Sequence, residues 1–158
     1  MQIKTTLFCG LLALVFAVSC NKNHETADST VGSGVVTANV DGRTWASLTT
    51  VGGATFVNIH GTTTITATAS DGSVIVLAVP SGITLGKEYT VANGLLTAQH
   101  KSDAAATIIY AATGALGSGT VIFSEATTRK LTGTFQFTAI AAGQTDLVVT
   151  GGIFDINE

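Results

Sequence analysis

Leu131, Gly133, Phe135, Phe137 and Ala139 alternate with Thr132, Thr134, Gln136 and Thr138. A period of two sends the apolar set to a core and the hydroxyls to water, which predicts a strand wet on one face, with Phe135 and Phe137 inward and Gln136 outward. Val74-Ile75-Val76-Leu77-Ala78-Val79 carries no polar position. Such a run predicts a central strand covered on both faces, or one paired at an interface. Asp41-Gly42 separates candidate strands 35–40 and 44–48, and Asp71-Gly72 separates 63–69 and 73–79. Asp-Gly supplies the positive φ values of a two-residue turn, so each pair is expected to be a hairpin. Further strand candidates cover 54–60, 88–91, 95–100, 107–112, 120–125, 130–139 and 145–156, mostly with Gly-containing breaks between them. With no helical period and no fixed repeat, roughly ten short strands predict an all-β fold, either an antiparallel β-sandwich or a partly closed barrel.

The N-terminus reads as an address. Lys4 gives a positive start, residues 7–18 give an apolar stretch too short for a comfortable membrane span, and Ala17, Val18 and Ser19 lead to Cys20. This is the pattern of a secretory signal. Ala17-Val18-Ser19-Cys20 also resembles the lipobox of bacterial lipoproteins, in which the cysteine is acylated and becomes the first residue of the mature chain. The lipobox usually has Leu where Ala17 stands, and Ala17 also suits an ordinary signal peptidase cutting after Ser19. The division expected is a lipoprotein signal peptide over 1–19, a lipidated Cys20 with a flexible polar tether over 20–34, and a single all-β domain over 35–158. His24 belongs to that tether.

Composition narrows the partners. The 158 residues are 46% hydrophobic and 11% charged with a formal net charge of −3, which excludes a disordered chain. Seven Lys plus Arg, unclustered, give no reason to expect a nucleic-acid partner. Cys9 would leave with the signal and Cys20 would carry the lipid, so the mature domain would hold no cysteine, no disulfide and no thiolate metal site. Palmitate or a similar chain on Cys20 would then be the tie to the membrane, with the outer membrane of a cell envelope as the expected location.

A family resemblance rests on two stretches. Residues 35–46, Val-Val-Thr-Ala-Asn-Val-Asp-Gly-Arg-Thr-Trp-Ala, resemble the opening hairpin of a family of small Bacteroidetes-type lipoprotein domains of unknown function. Residues 131–139 followed by Val149-Thr150-Gly151-Gly152-Ile153-Phe154 are similar to that family's closing strands, with Gly86-Lys87-Glu88-Tyr89 and Tyr110 as weaker matches between. The resemblance implies an all-β fold and a cell-envelope address. It implies no defined activity and no catalytic residues.

Motifs that would carry chemistry are scarce. Gly117-Ser118-Gly119 and Gly32-Ser33-Gly34 lack the spacing of a nucleophile elbow, and no phosphate-cradling glycine motif occurs. His60 and His100 stand far apart without partners at ligand spacing, and read as exposed strand-end residues rather than metal ligands. Asp41 and Asp71, each followed by Gly, read as turn formers rather than calcium ligands. Neither a metal, a cofactor nor a catalytic residue is expected. Trp45, the single Trp, is the candidate ligand-binding residue, able to stack on a sugar if exposed and otherwise a core ring. Thr64, Thr66 and Thr68, with Thr132, Thr134 and Thr138, form a second surface candidate, although threonine is also the ordinary solvent-face residue of a strand. The function expected is non-catalytic binding of an extracellular glycan or peptide. The alternatives are a structural accessory role beside an envelope protein and, more remotely, an enzyme.

Overall fold

The computed structural model describes residues 33–105 and 107–157. The expected signal and Cys20 lie outside these residues, as does the tether except for Ser33 and Gly34. Those two already belong to the first strand, paired with Asn157 and Ile156. Gly34 lies so close to the Ile156 backbone that a Cβ would come within 2.7 Å of its Cα.

Eleven strands follow one another without a helix among the described residues: β1 (Ser33–Val40), β2 (Arg43–Ala46), β3 (Ala54–Ile59), β4 (Thr62–Thr68), β5 (Val74–Pro80), β6 (Glu88–Thr90), β7 (Thr97–Lys101), β8 (Ile109–Ala112), β9 (Ser118–Ala126), β10 (Lys130–Ala139) and β11 (Leu147–Asn157). They form two antiparallel sheets packed as a sandwich. One has the order β2-β1-β11-β10-β9-β6 and the other β3-β4-β5-β7-β8. Backbone bridges at Ser47–Ala69 and Ala111–Ile140 stitch the two sheets together.

The alternation along β10 sets the core. Leu131, Phe135, Phe137 and Ala139 are buried and Gln136 is exposed, as the period of two requires. Tyr89, Phe123, Phe154, Phe135 and Phe137 form a continuous aromatic row, with successive centroids between 5.4 and 6.4 Å apart. Glycine makes room for these rings: a Cβ on Gly133 would sit 2.5 Å from Phe154, and one on Gly152 2.6 Å from Phe135. The facing sheet adds Phe56, Ile65, Ile75, Leu77 and Val79. Between Phe135 and Phe137 the register with β11 slips by one residue, and Gly151, at φ 59°, takes up the bulge.

Two expectations change. β5 is central in its sheet, but it is not covered on both faces: Ile75, Leu77 and Val79 are buried, whereas Val74, Val76 and Ala78 are half-buried on the outer side. Their cover comes from cross-strand neighbours, Thr64, Thr66 and Thr68 on one side and Thr97 and Gln99 on the other, and not from another layer. The second Asp-Gly pair does not make a two-residue turn. Thr68 pairs with Val74, leaving Ala69 to Ser73 as the connection, and only Gly72 of the pair has positive φ. A two-residue turn instead appears at His60-Gly61, with φ 50° and 77°, beside the one expected at Asp41-Gly42, with φ 48° and 77°.

Candidate functional site

Trp45 enters the core just after the Asp41-Gly42 turn. It is 7% exposed, and its indole N–H donates to Ser73 Oγ at 2.7 Å. Ser73 closes the β4–β5 connection, where its own N–H and hydroxyl both donate to Asp71 Oδ1, at 2.8 and 2.6 Å. A buried indole N–H thus finds an acceptor whose proton is already committed to a carboxylate, a relay that satisfies each polar group. Asp41, on the neighbouring turn, is tied to β11: its N–H donates to Val148 O and its Oδ1 accepts from Val148 N, both at 2.8 Å.

These two turns and the end of β7 surround a cleft of about 420 Å³, lined by Val40, Asp41, Arg43, Thr44, Trp45, Asp71, Ser73, His100 and Ser102. His100 is buried, at 6% exposure, because it follows Leu96 and Ala98 on the inward parity of β7. Its Nδ1 has no hydrogen-bond partner. Burial holds the imidazole below its ordinary value of 6.5, outweighing the opposite pull of Asp71 and Asp41, so the ring is neutral at pH 7. The Ser73 hydroxyl, followed by the Ser73 N–H, holds Asp71 below its ordinary 3.8, so it is ionised. Among the described residues no group of three His, Asp or Glu side chains is gathered closely enough to hold a metal ion.

A second concavity lies on the outer face of the six-stranded sheet. Two hollows of about 390 and 440 Å³ share Thr120 and Gln136 and so form one groove across β6, β9, β10 and β11. Thr90, Ser118, Thr134, Thr138 and Thr150 add hydroxyls, Ile122, Val148 and Ile153 add apolar flanks, and Glu88 is its single charged lining residue. The groove reaches Val148, which the Asp41 turn clasps, so that turn stands between groove and cleft.

Residues 32–156 match the family model described as domain of unknown function (DUF6252). The chain belongs to this family. The match spans both the opening hairpin and the closing strands on which the resemblance rested. No curated protein and no solved structure matches the chain.

The candidate residues of this DUF6252 domain fall in different places. Cys20 lies outside the described residues. Trp45 offers no open ring face for a sugar to stack on, because the Ser73 hydrogen bond and the sandwich enclose it; its place is in the core, at the edge of the cleft. The threonines do not form one array: Thr64, Thr66 and Thr68 face outward from one sheet, and Thr132, Thr134 and Thr138 from the other. His60 is exposed, on a turn, whereas His100 corrects the expectation of an exposed strand end. The alternation of Leu96, Ala98 and His100 with Thr97, Gln99 and Lys101 was the signal that would have placed it inward.

Proposed function

We propose that this domain is a lipid-anchored, non-catalytic binding module of the cell envelope, held at the outer membrane through an acylated Cys20, that takes an extended extracellular glycan or peptide across the outer face of its six-stranded sheet. The groove carries the reading. It crosses four adjacent strands, long enough to receive several units of a chain, and presents hydroxyl and amide groups with apolar flanks rather than charge. Glycans and extended peptides offer alternating polar and apolar surface that such a lining matches. Ser73 supports the absence of catalysis, since its hydroxyl is committed to Asp71 and Trp45 instead of to His100. The N-terminal pattern ending at Cys20 supports the anchor.

Glycan and peptide arrays probed with the protein test the reading. Binding should be insensitive to salt, since Glu88 alone lends charge to the groove. Gln136→Ala, at the waist of the groove, should weaken it about tenfold, equivalent to about 1.4 kcal/mol, while changing stability by less than about 0.5 kcal/mol. Unchanged binding in Gln136→Ala and Thr120→Ala would exclude the groove. The anchor is tested separately: Cys20→Ser should move the protein from the detergent phase to the aqueous phase, and continued membrane partitioning would overturn the lipid assignment.

One observation favours an accessory role as the second reading. The outer face of the five-stranded sheet sets half-buried Val57, Val74, Val76 and Ala78 among threonines, with Lys101 beside Val74, a surface of low charge suited to a protein partner.

A further inference from the structure

We infer, resting on the groove reading above, that the ligand is a glycan with N-acetylated sugars and that the β-bulge at Gly151 receives an acetamido group. β11 slips by one residue against both of its neighbours, between Thr37 and Asn39 on β1 and between Phe135 and Phe137 on β10. Thr150 and Gly151 are therefore both exposed on the outer face. Gly151 leaves a notch there: apart from its chain neighbours, a Cβ on it would meet only the Asn39 amide nitrogen, at 3.5 Å. The notch opens into the hollow of about 440 Å³, whose apolar sides are Ile122 and Ile153, the latter 55% exposed.

Two carboxamides flank this notch. Asn39, paired with Thr150, leans over Gly151 from β1, and Gln136 stands opposite the bulge on β10. Both side chains are exposed, and neither makes a hydrogen bond among the described residues. The hydroxyls of Thr120 and Thr134 in the same hollow are equally free. Beyond the hollow the same face behaves differently, since Ser124 and Thr132 pair with each other at 2.7 Å.

The lining selects the ligand's chemistry. A carboxamide both donates and accepts, and a secondary amide placed between two of them answers both, taking a hydrogen bond at its carbonyl from one and giving its N–H to the other. The methyl of an acetamido group would then cover Ile153, while free threonine hydroxyls meet those of the sugar. No cation lines either hollow and Glu88 opposes anions, so the sugar is a neutral one. Peptides carry secondary amides too, but extended peptides are held by main-chain pairing along a free sheet edge. This groove crosses β9, β10 and β11, each already paired on both sides. It offers side-chain groups one strand spacing apart, about 4.8 Å, close to the length of one pyranose ring.

Titration of the full-length protein in detergent with chitotetraose, the tetramer of N-acetylglucosamine, and with cellotetraose, which has a hydroxyl in place of each acetamido group, tests this assignment. Chitotetraose should bind at least about tenfold more tightly, and should add amide shifts at Asn39 and Gly151 that cellotetraose does not produce. Gly151→Asn, which fills the notch with a residue that tolerates the left-handed backbone, should remove that advantage. Asn39→Ala, at an exposed side chain, should do the same and keeps the test open if Gly151→Asn does not fold. Equal affinity for the two saccharides with shifts in the groove, or an advantage that survives in both variants, would overturn the acetamido assignment and leave the groove standing. No saturable shift with either saccharide would overturn the sugar and leave the groove to the peptide arrays. Shifts centred on Thr64 and Val76 would overturn both.

Discussion

The two Asp-Gly pairs of this chain are identical as dipeptides and different as structures. At Asp41-Gly42 both residues take positive φ, the strands pair up to Val40 and Arg43, and the turn projects into solvent, where its carboxylate reaches across to Val148. At Asp71-Gly72 only the glycine is left-handed, the connection runs from Ala69 to Ser73, and the carboxylate turns back on Ser73 to support the Trp45 relay. The dipeptide specifies that the chain reverses. Which reversal it makes is set by its tertiary neighbours: Val148 of β11 clasped by Asp41, with open space around Gly42, at the first, and an indole N–H requiring an acceptor, with Ala104 against Gly72, at the second.

The relay supplies the largest contrast. Trp45→Ala should cost about 3–5 kcal/mol for the lost ring. Ser73→Ala should cost about 1–3 kcal/mol, because it strands the indole N–H in a buried place. Trp45→Phe should cost less than Trp45→Ala, since it removes the donor but keeps an aromatic ring in the core. Denaturant titrations check the order, and a Ser73→Ala variant as stable as wild type would mean that the second turn is as independent of the core as the first.

The glycines give the next contrast. A Cβ on Gly42 would meet nothing within 4 Å, whereas one on Gly72 would lie 2.8 Å from the Ala104 backbone nitrogen and side chain. Gly42→Ala should therefore cost only the left-handed backbone penalty, about 1–2 kcal/mol. Gly72→Ala should add about 1–3 kcal/mol of overlap. Equal losses of melting temperature would erase the distinction between a free turn and a packed one.

The smallest effects concern pH. Burial lowers His100, so below 6.5 the unfolded chain binds the proton first and stability falls with pH until the lowered folded value is passed. His100→Asn should flatten that limb. Asp71 is lowered by Ser73, so its contribution is present above 3.8 and is lost as the pH falls through the folded value beneath it. Asp71→Asn should flatten the acid limb alone. Thermal melts from pH 7.5 to 2.5 separate the two, and an unaltered profile in either variant would refute its assignment.

Strand placement was legible because the chain keeps its parity: β10 runs over Lys130–Ala139 as the alternation of Phe135 and Phe137 with Gln136 requires, and every other strand candidate has its counterpart within a few residues. What escaped depended on tertiary neighbours. The Val74–Val79 run looked doubly covered because its sequence cannot show that Thr66 and Gln99 shield Val76 from the sides. Trp45 stayed open between surface and core, because its acceptor lies 28 residues away. The groove could not be read at all, since it brings Thr90, Thr120, Gln136 and Thr150 together from four strands. Cross-strand register, which local pattern does not encode, created it.

Backbone amide shift mapping tests the central claim most directly. An isotopically labelled protein titrated with a glycan or peptide selected on the arrays should show its largest changes at Thr90, Thr120, Gln136 and Thr150, with the outer face of the five-stranded sheet silent. Changes centred instead on Thr64, Val76 and Gln99 would contradict the groove and place the interaction on the opposite face of the sandwich.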